Sequence, residues 1–420
     1  MNYKETIDYL YNSTPVFEHV GASAYKEGLE NTWALDAHYG HPHLSYKTIH
    51  IAGTNGKGSC SHSIASILQE AGYKVGLYTS PHLIDFRERI KVNGQSISKK
   101  RVIEFVEDFI KWNTQNPESD VNNPTPKLYP SFFELTTALA FKYFEEQQVD
   151  IAVIEVGLGG RLDCTNIITP ILSVITNISF DHTGLLGNTL AEISAEKAGI
   201  IKKGVPVVIG EYTSETRRVF EKKAREMQAP IIFAQDVEEL GEDIDIELKG
   251  YYQAKNKQTI LVAVSSLDPQ PSAINITNGL AHVCKNTGLM GRWQTLQENP
   301  KVICDTGHNV GGWQYLSEQI QAQPCNQLRI VFGMVDDKDI DTVMALLPKN
   351  AIYYWTQADN HRAIPSTEVK KKGEKHQLKG HHYPTVIEAY KAALADSQAE
   401  DFVFVGGSSY VVADLLTALY

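Results

Sequence analysis

The sequence predicts an α/β protein: a larger, mostly parallel-sheet domain containing a phosphate-binding loop (P-loop), followed by a smaller Rossmann-like α/β domain. Short apolar runs alternate with amphipathic runs along the chain. A glycine-rich turn, GTNGKGS at residues 53–59, separates a strand pattern from a helix pattern. The alternation stops near residue 290 and then restarts. Because parallel strands need crossover connections, this alternation predicts right-handed βαβ units.

Length, composition and charge limit the classes of protein that fit this chain. Its 420 residues suit two or three domains, and its hydrophobic fraction of 42% and charged fraction of 21% are ordinary for a globular protein. A formal net charge of -11 disfavours nucleic-acid binding, because neutralising phosphates requires clustered Lys and Arg. The N-terminal segment lacks the apolar core of a secretory signal, and no apolar run reaches about 18 residues, so we expect no membrane contact.

The cysteines indicate a reducing compartment. They are odd in number, scattered and never in a CxxC pair, which disfavours a disulfide framework and a zinc site. The five are Cys60, Cys164, Cys284, Cys304 and Cys325. We therefore expect a cytoplasmic protein. Separately, we expect a monomer.

The first domain is predicted over residues 1–288. Its predicted strands are 47–52, 75–79, 150–156, 171–177, 206–210 and 231–234, and its predicted helices are 59–71, 131–146, 190–201, 254–267 and 276–285. Continuous apolar runs such as DIAVIEV at 150–156 are typical of strands buried on both faces of a parallel sheet. In helix 59–71, Ile64, Ile67 and Leu68 share one face, and Gly72 marks the end. The acidic stretch 236–250 is predicted as a peripheral hairpin or loop.

The second domain is predicted over residues 300–420, after a linker at 289–299. Its predicted strands are 301–305, 328–334, 352–357 and 402–405, and its predicted helices are 311–321, 339–347, 385–395 and 408–416. About 120 residues are enough for an independent α/β unit.

The loop GTNGKGS indicates a nucleotide phosphate site. Glycines let backbone N–H groups approach phosphate oxygens, the following helix adds partial positive charge, and Lys57 can reach the terminal phosphates. It is a shorter variant of the usual P-loop string, because Ile51 stands where the first glycine belongs. A P-loop alone predicts a nucleotide but not a reaction, so kinase, GTPase, motor and ligase stay open.

Polar side chains follow the carboxyl ends of several predicted strands, where ligands bind in parallel sheets. Glu155 ends one apolar run and is a candidate Mg²⁺ ligand. Asp181 and His182 follow the next run, and Ser80 follows strand 75–79. Taken alone, the position of Ser80 indicates a helix cap, and the position of Lys197 indicates a solvated lysine on a helix.

Several longer strings resemble one known family. They are GTNGKGS, YTSPHLIDFRERIKVNG at 78–94, SFFELTTALAF at 131–141, EVGLGGRLDCTN at 155–166 and SFDHTGLLGNTLAEISAEKAGIIKKGVP at 179–206. In order and over nearly the whole chain, they resemble the folylpolyglutamate synthase/dihydrofolate synthase family, part of the wider Mur ligase group. The chain departs from the family at 305–310, where DTGHNV stands in place of the usual DGAHNP.

The resemblance implies a role for each set of residues. ATP would contact Thr54, Asn55, Gly56, Lys57, Gly58, Ser59, Asn256, Arg292 and Asp305. Two Mg²⁺ sites would use Ser80, Glu155, His182 and a carbamylated Lys197, and the catalytic set would be Lys57, Glu155, His182 and Lys197. Ser131, Phe133, Leu162, Asp163 and Cys164 would face the pterin, and His308 and Ser408 would lie on the glutamate side.

The function that the resemblance implies is an ATP-dependent ligase. It would add L-glutamate to a (tetrahydro)folate through an acyl phosphate, and whether dihydropteroate is also an acceptor stays open. Two alternatives remain. Another Mur-group amino-acid ligase would usually carry an N-terminal domain for a UDP moiety, and only 46 residues precede strand 47–52. A P-loop ATPase or switch without ligase activity would not need the second domain.

Overall fold

Two separate β-sheets form the framework of the computed structural model, which describes residues 1–12, 28–115, 127–336 and 338–420. The first sheet contains β1 (Lys47–Ala52), β2 (Val75–Tyr78), β3 (Ile90–Val92), β4 (Gln95–Ser96), β5 (Ile151–Glu155), β6 (Leu172–Ile175), β7 (Val207–Ile209) and β8 (Ile231–Phe233). The second contains β9 (Gln294–Glu298), β10 (Lys301–Cys304), β11 (Leu328–Phe332), β12 (Ile352–Trp355), β13 (Lys379–His382) and β14 (Phe402–Gly406).

Helices cover both faces of each sheet. Those of the first domain are α1 (Tyr3–Asn12), α2 (Glu30–His38), α3 (Lys57–Glu70), α4 (Lys99–Gln115), α5 (Phe132–Glu146), α6 (Thr183–Leu186), α7 (Leu190–Lys197), α8 (Ser214–Met227), α9 (Gln253–Ser265), α10 (Ala273–Ala281) and α11 (Val283–Thr287). Those of the second are α12 (Val310–Gln321), α13 (Ile340–Leu346), α14 (Ser366–Lys375), α15 (Val386–Ala395) and α16 (Ser409–Leu419).

The first sheet has the order β4-β3-β2-β5-β1-β6-β7-β8. The six strands β2-β5-β1-β6-β7-β8 pair in parallel with their neighbours. Strands β3 and β4 add antiparallel pairs at one edge. Strand β1 lies between β5 and β6, so the carboxyl ends of these three strands meet at one edge of the sheet. The second sheet has the order β13-β12-β11-β14-β10-β9 and is parallel except for the β9–β10 pair.

Each sheet is enclosed by apolar clusters of its own. One cluster packs α4 and α5 against the first sheet, through residues such as Phe105 and Phe141, and another packs α3 and α9 against the opposite face. The second sheet has one cluster around the fully buried Trp313 and another around Leu415. Burying a side chain of this size stabilises the fold by roughly 1.5–3 kcal/mol.

The structure confirms the predicted α/β fold, with a mostly parallel first sheet and a smaller second unit. The apolar runs at β5 and β6 are fully buried strands. The pattern does not predict β3, β4, β9 and β13, which are short strands at or next to a sheet edge; β9 and β13 are also mostly polar. The segment 289–299, predicted as a linker, contains β9, which pairs with β10.

Candidate active site between the domains

The P-loop connects β1 to α3. Gly53 has a φ of 147°, and a Cβ atom there would lie 1.8 Å from Thr176 Oγ1, so only glycine fits. Gly56, with a φ of 83°, precedes α3, which begins at Lys57. The Lys57 ammonium donates hydrogen bonds to the carbonyls of Gly53 (3.0 Å) and Thr54 (3.1 Å). The loop therefore presents a helix N-terminus and a half-buried cation, a combination that binds phosphate.

Glu155 lies at the carboxyl end of β5 beside this loop. It is only 3% exposed, and its Oε2 accepts a hydrogen bond from the Ser80 N–H at 3.2 Å. Burial raises the pKa of Glu155 to about 7, although the nearby Lys57 charge opposes the shift. A buried carboxylate with such a pKa is strongly under-solvated, and a divalent cation would favour its ionised form.

Lys197 lies at the end of α7 and is buried. It is 4% exposed, and its Nζ donates a hydrogen bond to the Gly53 carbonyl at 3.0 Å. Burial, reinforced by the Lys57 charge, lowers the pKa of Lys197 to about 7. The interpretation of Lys197 as a solvated helix lysine is therefore wrong, and the lowered pKa favours the neutral amine.

A cavity of about 330 Å³ lies between the two domains. Its lining combines the P-loop residues 54–59, Ser80 and Glu155 of the first domain with Arg292, Asp305 and His308 of the second. Asp305 is held by hydrogen bonds from the Tyr252 hydroxyl (2.7 Å), the Trp293 N–H (2.7 Å) and the Gly307 N–H (2.8 Å). Burial raises the pKa of Asp305.

Helix α9 adds a third wall to this cavity. Asn256 donates a hydrogen bond to Gln253 Oε1 at 2.8 Å, and Gln253 donates to Ser59 Oγ at 3.0 Å. This chain of side chains fixes Asn256 against the P-loop. The residues that the resemblance implies as ATP contacts all line this one cavity.

A second cavity, of about 180 Å³, lies on the other side of the P-loop. Its lining includes Phe133, His182, Lys197 and Ser408. Both cavities share the lining residues Thr54, Lys57, Ser80, Pro81 and His308. A group bound at the P-loop would therefore be accessible to molecules in either cavity.

Comparisons with known proteins identify the family. Residues 51–281 match the model of the Mur ligase middle domain, and residues 291–409 match that of the Mur ligase glutamate ligase domain. The dihydrofolate synthase/folylpolyglutamate synthase of Bacillus subtilis is 33% identical over 413 residues, which span 93% of this chain and 94% of that protein. The chain belongs to the folylpolyglutamate synthase/dihydrofolate synthase family of Mur ligases. It is therefore an ATP-dependent ligase.

Solved structures of this family share the whole fold. Escherichia coli FolC in complex with DHPP and ADP superposes with a TM-score of 0.84 at 30% identity, covering 100% of this chain and 98% of that one. A bifunctional folylpolyglutamate synthase/dihydrofolate synthase with Mn, AMPPNP and L-glutamate bound gives a TM-score of 0.83 at 28% identity, covering 100% and 98%. The family thus binds a nucleotide and a divalent metal on this framework.

Four residues implied to face the pterin lie outside the linings of both cavities. Ser131 caps α5, where its hydroxyl accepts from the Glu134 N–H. Asp163 is buried and accepts from the Leu158 N–H at 2.9 Å. Cys164 is buried with its thiol 3.0 Å from a threonine hydroxyl, and Leu162 is half-buried. Their proposed contacts with a ligase substrate stay predictions.

Sequence reasoning missed two cations of the candidate site. Lys338 and Arg362 both line the second cavity from the second domain. Lys338 follows the carboxyl end of β11, so the rule that pointed to Glu155 could have found it. Arg362 lies in a loop, and nothing in its local sequence marks it.

The implied Mg²⁺ ligands fit a hard cation by their chemistry. In the described ranges, His, Cys, Asp and Glu form no group of three or more that could hold a metal ion unaided. The implied set instead adds the Ser80 hydroxyl and a modified lysine to Glu155 and His182. Ser80 lines both cavities, while Glu155 lines the first and His182 the second. The oxygen donors of Ser80, Glu155 and a lysine carbamate suit Mg²⁺, which also retains water and phosphate ligands, and His182 would add a nitrogen donor.

The helices that the structure describes include none with the length and apolar character to cross a membrane.

Proposed function

We propose that this ligase joins the amine of L-glutamate to the terminal carboxylate of a folate, using ATP, and that dihydropteroate is a second acceptor. The names of the related enzymes and the ligands in the related structures support this choice of substrates. The observation that carries the proposal is the pair of cavities meeting at Lys57, Ser80 and His308. ATP in the first cavity would present its terminal phosphate to an acceptor carboxylate in the second.

The reaction proceeds through an acyl phosphate, because a carboxylate is a poor electrophile. An acceptor carboxylate oxygen attacks the γ-phosphorus of ATP, and ADP leaves. The glutamate amine then attacks the acyl carbon, loses a proton, and inorganic phosphate leaves as the amide forms. Lys57 stabilises negative charge on the transferring phosphoryl group, and closure of the cleft excludes water that would hydrolyse the acyl phosphate.

Two Mg²⁺ ions complete this proposal. Ser80 and Glu155 would hold one, and Glu155, His182 and a carbamylated Lys197 would hold the other. Bound Mg²⁺ neutralises charge on the phosphates and orients the transferring group. Two properties of Lys197 support the carbamate: the amine is buried, and its pKa is lowered to about 7. A carbamate nitrogen also keeps one N–H, which can still donate to the Gly53 carbonyl.

The decisive experiment measures phosphate release and glutamate incorporation by the purified protein. We expect phosphate release to require an acceptor and L-glutamate together, with tetrahydrofolate and dihydropteroate tested separately. Rapid ATP hydrolysis that neither compound alters would instead favour an ATPase or switch. Activity with a UDP-linked cell-wall precursor, but with neither pterin, would favour another Mur-group ligase.

We further propose that the enzyme is a cytoplasmic monomer without nucleic-acid or membrane partners. The net charge of -11 and the five free cysteines support this. Light scattering on the eluting protein should give a mass near 46.8 kDa. A mass of twice that value would refute the monomer.

A further inference from the structure

Asp181 of the first domain is contacted by three side chains of the second. The Lys338 ammonium donates to Asp181 Oδ1 at 2.6 Å, and Asn309 Nδ2 donates to Oδ2 at 3.2 Å. His308 Nε2 lies 3.5 Å from Oδ2. We call Asp181, Asn309 and Lys338 the interdomain latch.

The ion pair of the latch is largely shielded from water. The Asp181 side chain is 10% exposed and that of Lys338 is 9% exposed. The carboxylate and the ammonium therefore pair inside the interface rather than in solvent.

Asn309 extends the latch to the P-loop. Its Nδ2 donates to Asn55 Oδ1 at 2.9 Å, and its Oδ1 accepts from Asn55 Nδ2 at 3.2 Å. The same Oδ1 accepts from the Gly312 N–H at 3.0 Å and so caps α12. A rotation of the second domain would break the amide pair and the Asp181 contact together.

Elsewhere the interface includes the Tyr252–Asp305 hydrogen bond described above and two hydrogen bonds between Gln319 and backbone. Gln319 of α12 donates to the Lys249 carbonyl at 2.8 Å and accepts from the Tyr251 N–H at 2.7 Å. Asp181 and Lys338, in contrast, both line the second cavity. Separating the domains on this side would therefore expose both charges to water. Burying this ion pair costs desolvation free energy, but the pair forms only in one relative position of the domains. Both properties suit a contact that forms and breaks in each turnover.

We propose that Asp181 is a positioning residue whose pairing with Lys338 and Asn309 holds the cleft closed while the acyl phosphate exists. This inference rests on the proposed ligase function. Breaking the pair would leave ATP binding intact but let water reach the second cavity. The measurable consequence is loss of coupling: more phosphate released for each glutamate incorporated.

The test compares Asp181→Asn, Lys338→Met and the double variant with Lys372→Met. Lys372 is the matched control, because it forms a 2.9 Å ion pair with Asp341 entirely within the second domain. We expect each single latch variant to lower kcat/KM for glutamate by at least about tenfold and to raise the phosphate-to-glutamate ratio. The double variant should lie within about twofold of the worse single variant, because both remove one interaction. Lys338→Arg, which keeps the positive charge, should retain most of the coupling between phosphate release and glutamate incorporation.

A rise in KM for glutamate with Lys338→Met but not with Asp181→Asn would overturn the latch, because Lys338 would then bind substrate directly. Multiplicative effects in the double variant would also overturn it, as would an altered Mg²⁺ requirement confined to Asp181→Asn.

Small-angle scattering tests closure without turnover: AMPPNP should reduce the radius of gyration of the wild type and Lys372→Met more than that of the latch variants. If the wild type does not ligate but still compacts more than the latch variants, the proposed function is refuted and the latch is not. Equal compaction of all variants would refute the latch.

Discussion

Replacing Lys197 with alanine tests the chemical state of the buried amine. Carbamylation requires a neutral amine and dissolved CO₂. At pH 8 an ordinary lysine with a pKa of 10.5 is neutral in only roughly 0.3% of molecules, whereas a pKa of about 7 leaves roughly 90% neutral. The environment at the end of α7 thus increases the reactive fraction by about 300-fold.

We expect Lys197→Ala to lose at least about 10²-fold in turnover, comparable to the loss of one electrostatic group in an active site. The vacated space should admit a short carboxylic acid, so formate or acetate should restore part of the activity. Lys197→Arg is the matched control, because guanidinium stays charged, fills the space and should not be rescued. Activity is followed as glutamate incorporated into the acceptor.

The wild type allows a direct measurement of the same group. Protein equilibrated with ¹³C-bicarbonate should show one carbamate carbon resonance that is missing from Lys197→Ala. The signal should strengthen between pH 6 and 8, since the neutral fraction rises from roughly 10% to roughly 90% around a pKa of about 7. Near-normal turnover of Lys197→Ala without added acid, or no carbamate signal with Mg²⁺ and nucleotide bound, would refute the reasoning.

Three further predictions concern the first cavity. Lys57→Ala should lower turnover by about 10²-fold or more at saturating ATP with an unchanged circular dichroism spectrum, and near-normal turnover would exclude its role in phosphate transfer. Arg292→Ala should raise the KM for ATP or lower kcat, and unchanged kinetics would mean that the nucleotide lies elsewhere. In metal-free and nucleotide-free protein, Glu155 binds its proton more tightly when folded, so between its ordinary pKa of 4.5 and about 7 its contribution to stability falls as pH rises. Urea titrations should show that Glu155→Gln lacks this fall, which amounts to about 3 kcal/mol, and identical pH dependence in both proteins would contradict the shift.

The carboxyl edge of the first sheet, where the candidate site lies, was predictable because each of its signals is local. Glu155 ends a continuous apolar run, and Lys57 stands at the tip of a glycine-rich turn between a strand and a helix. Such patterns depend on neighbours within a few residues, and backbone sterics translate them directly into structure.

The contacts across the cleft were not predictable in the same way. Asp181 and Lys338 are 157 residues apart, and neither sequence neighbourhood records the partner. Strand β9 was missed because QTLQE is an edge strand whose burial depends on β10 rather than on an apolar pattern of its own. Burial of Lys197 likewise depends on packing of α7 against the P-loop, which no helix periodicity reveals.

The separation of the apolar clusters has a consequence for the melting behaviour of the chain. Among the described residues, the first sheet carries three apolar clusters and the second carries two, while the contacts described across the cleft are mainly hydrogen bonds and one ion pair. Without ligand, the two halves should behave as weakly coupled cooperative units, and calorimetry should resolve two overlapping heat-absorption peaks. A nucleotide that contacts both halves stabilises them jointly, so saturating AMPPNP should merge the peaks into one transition at higher temperature.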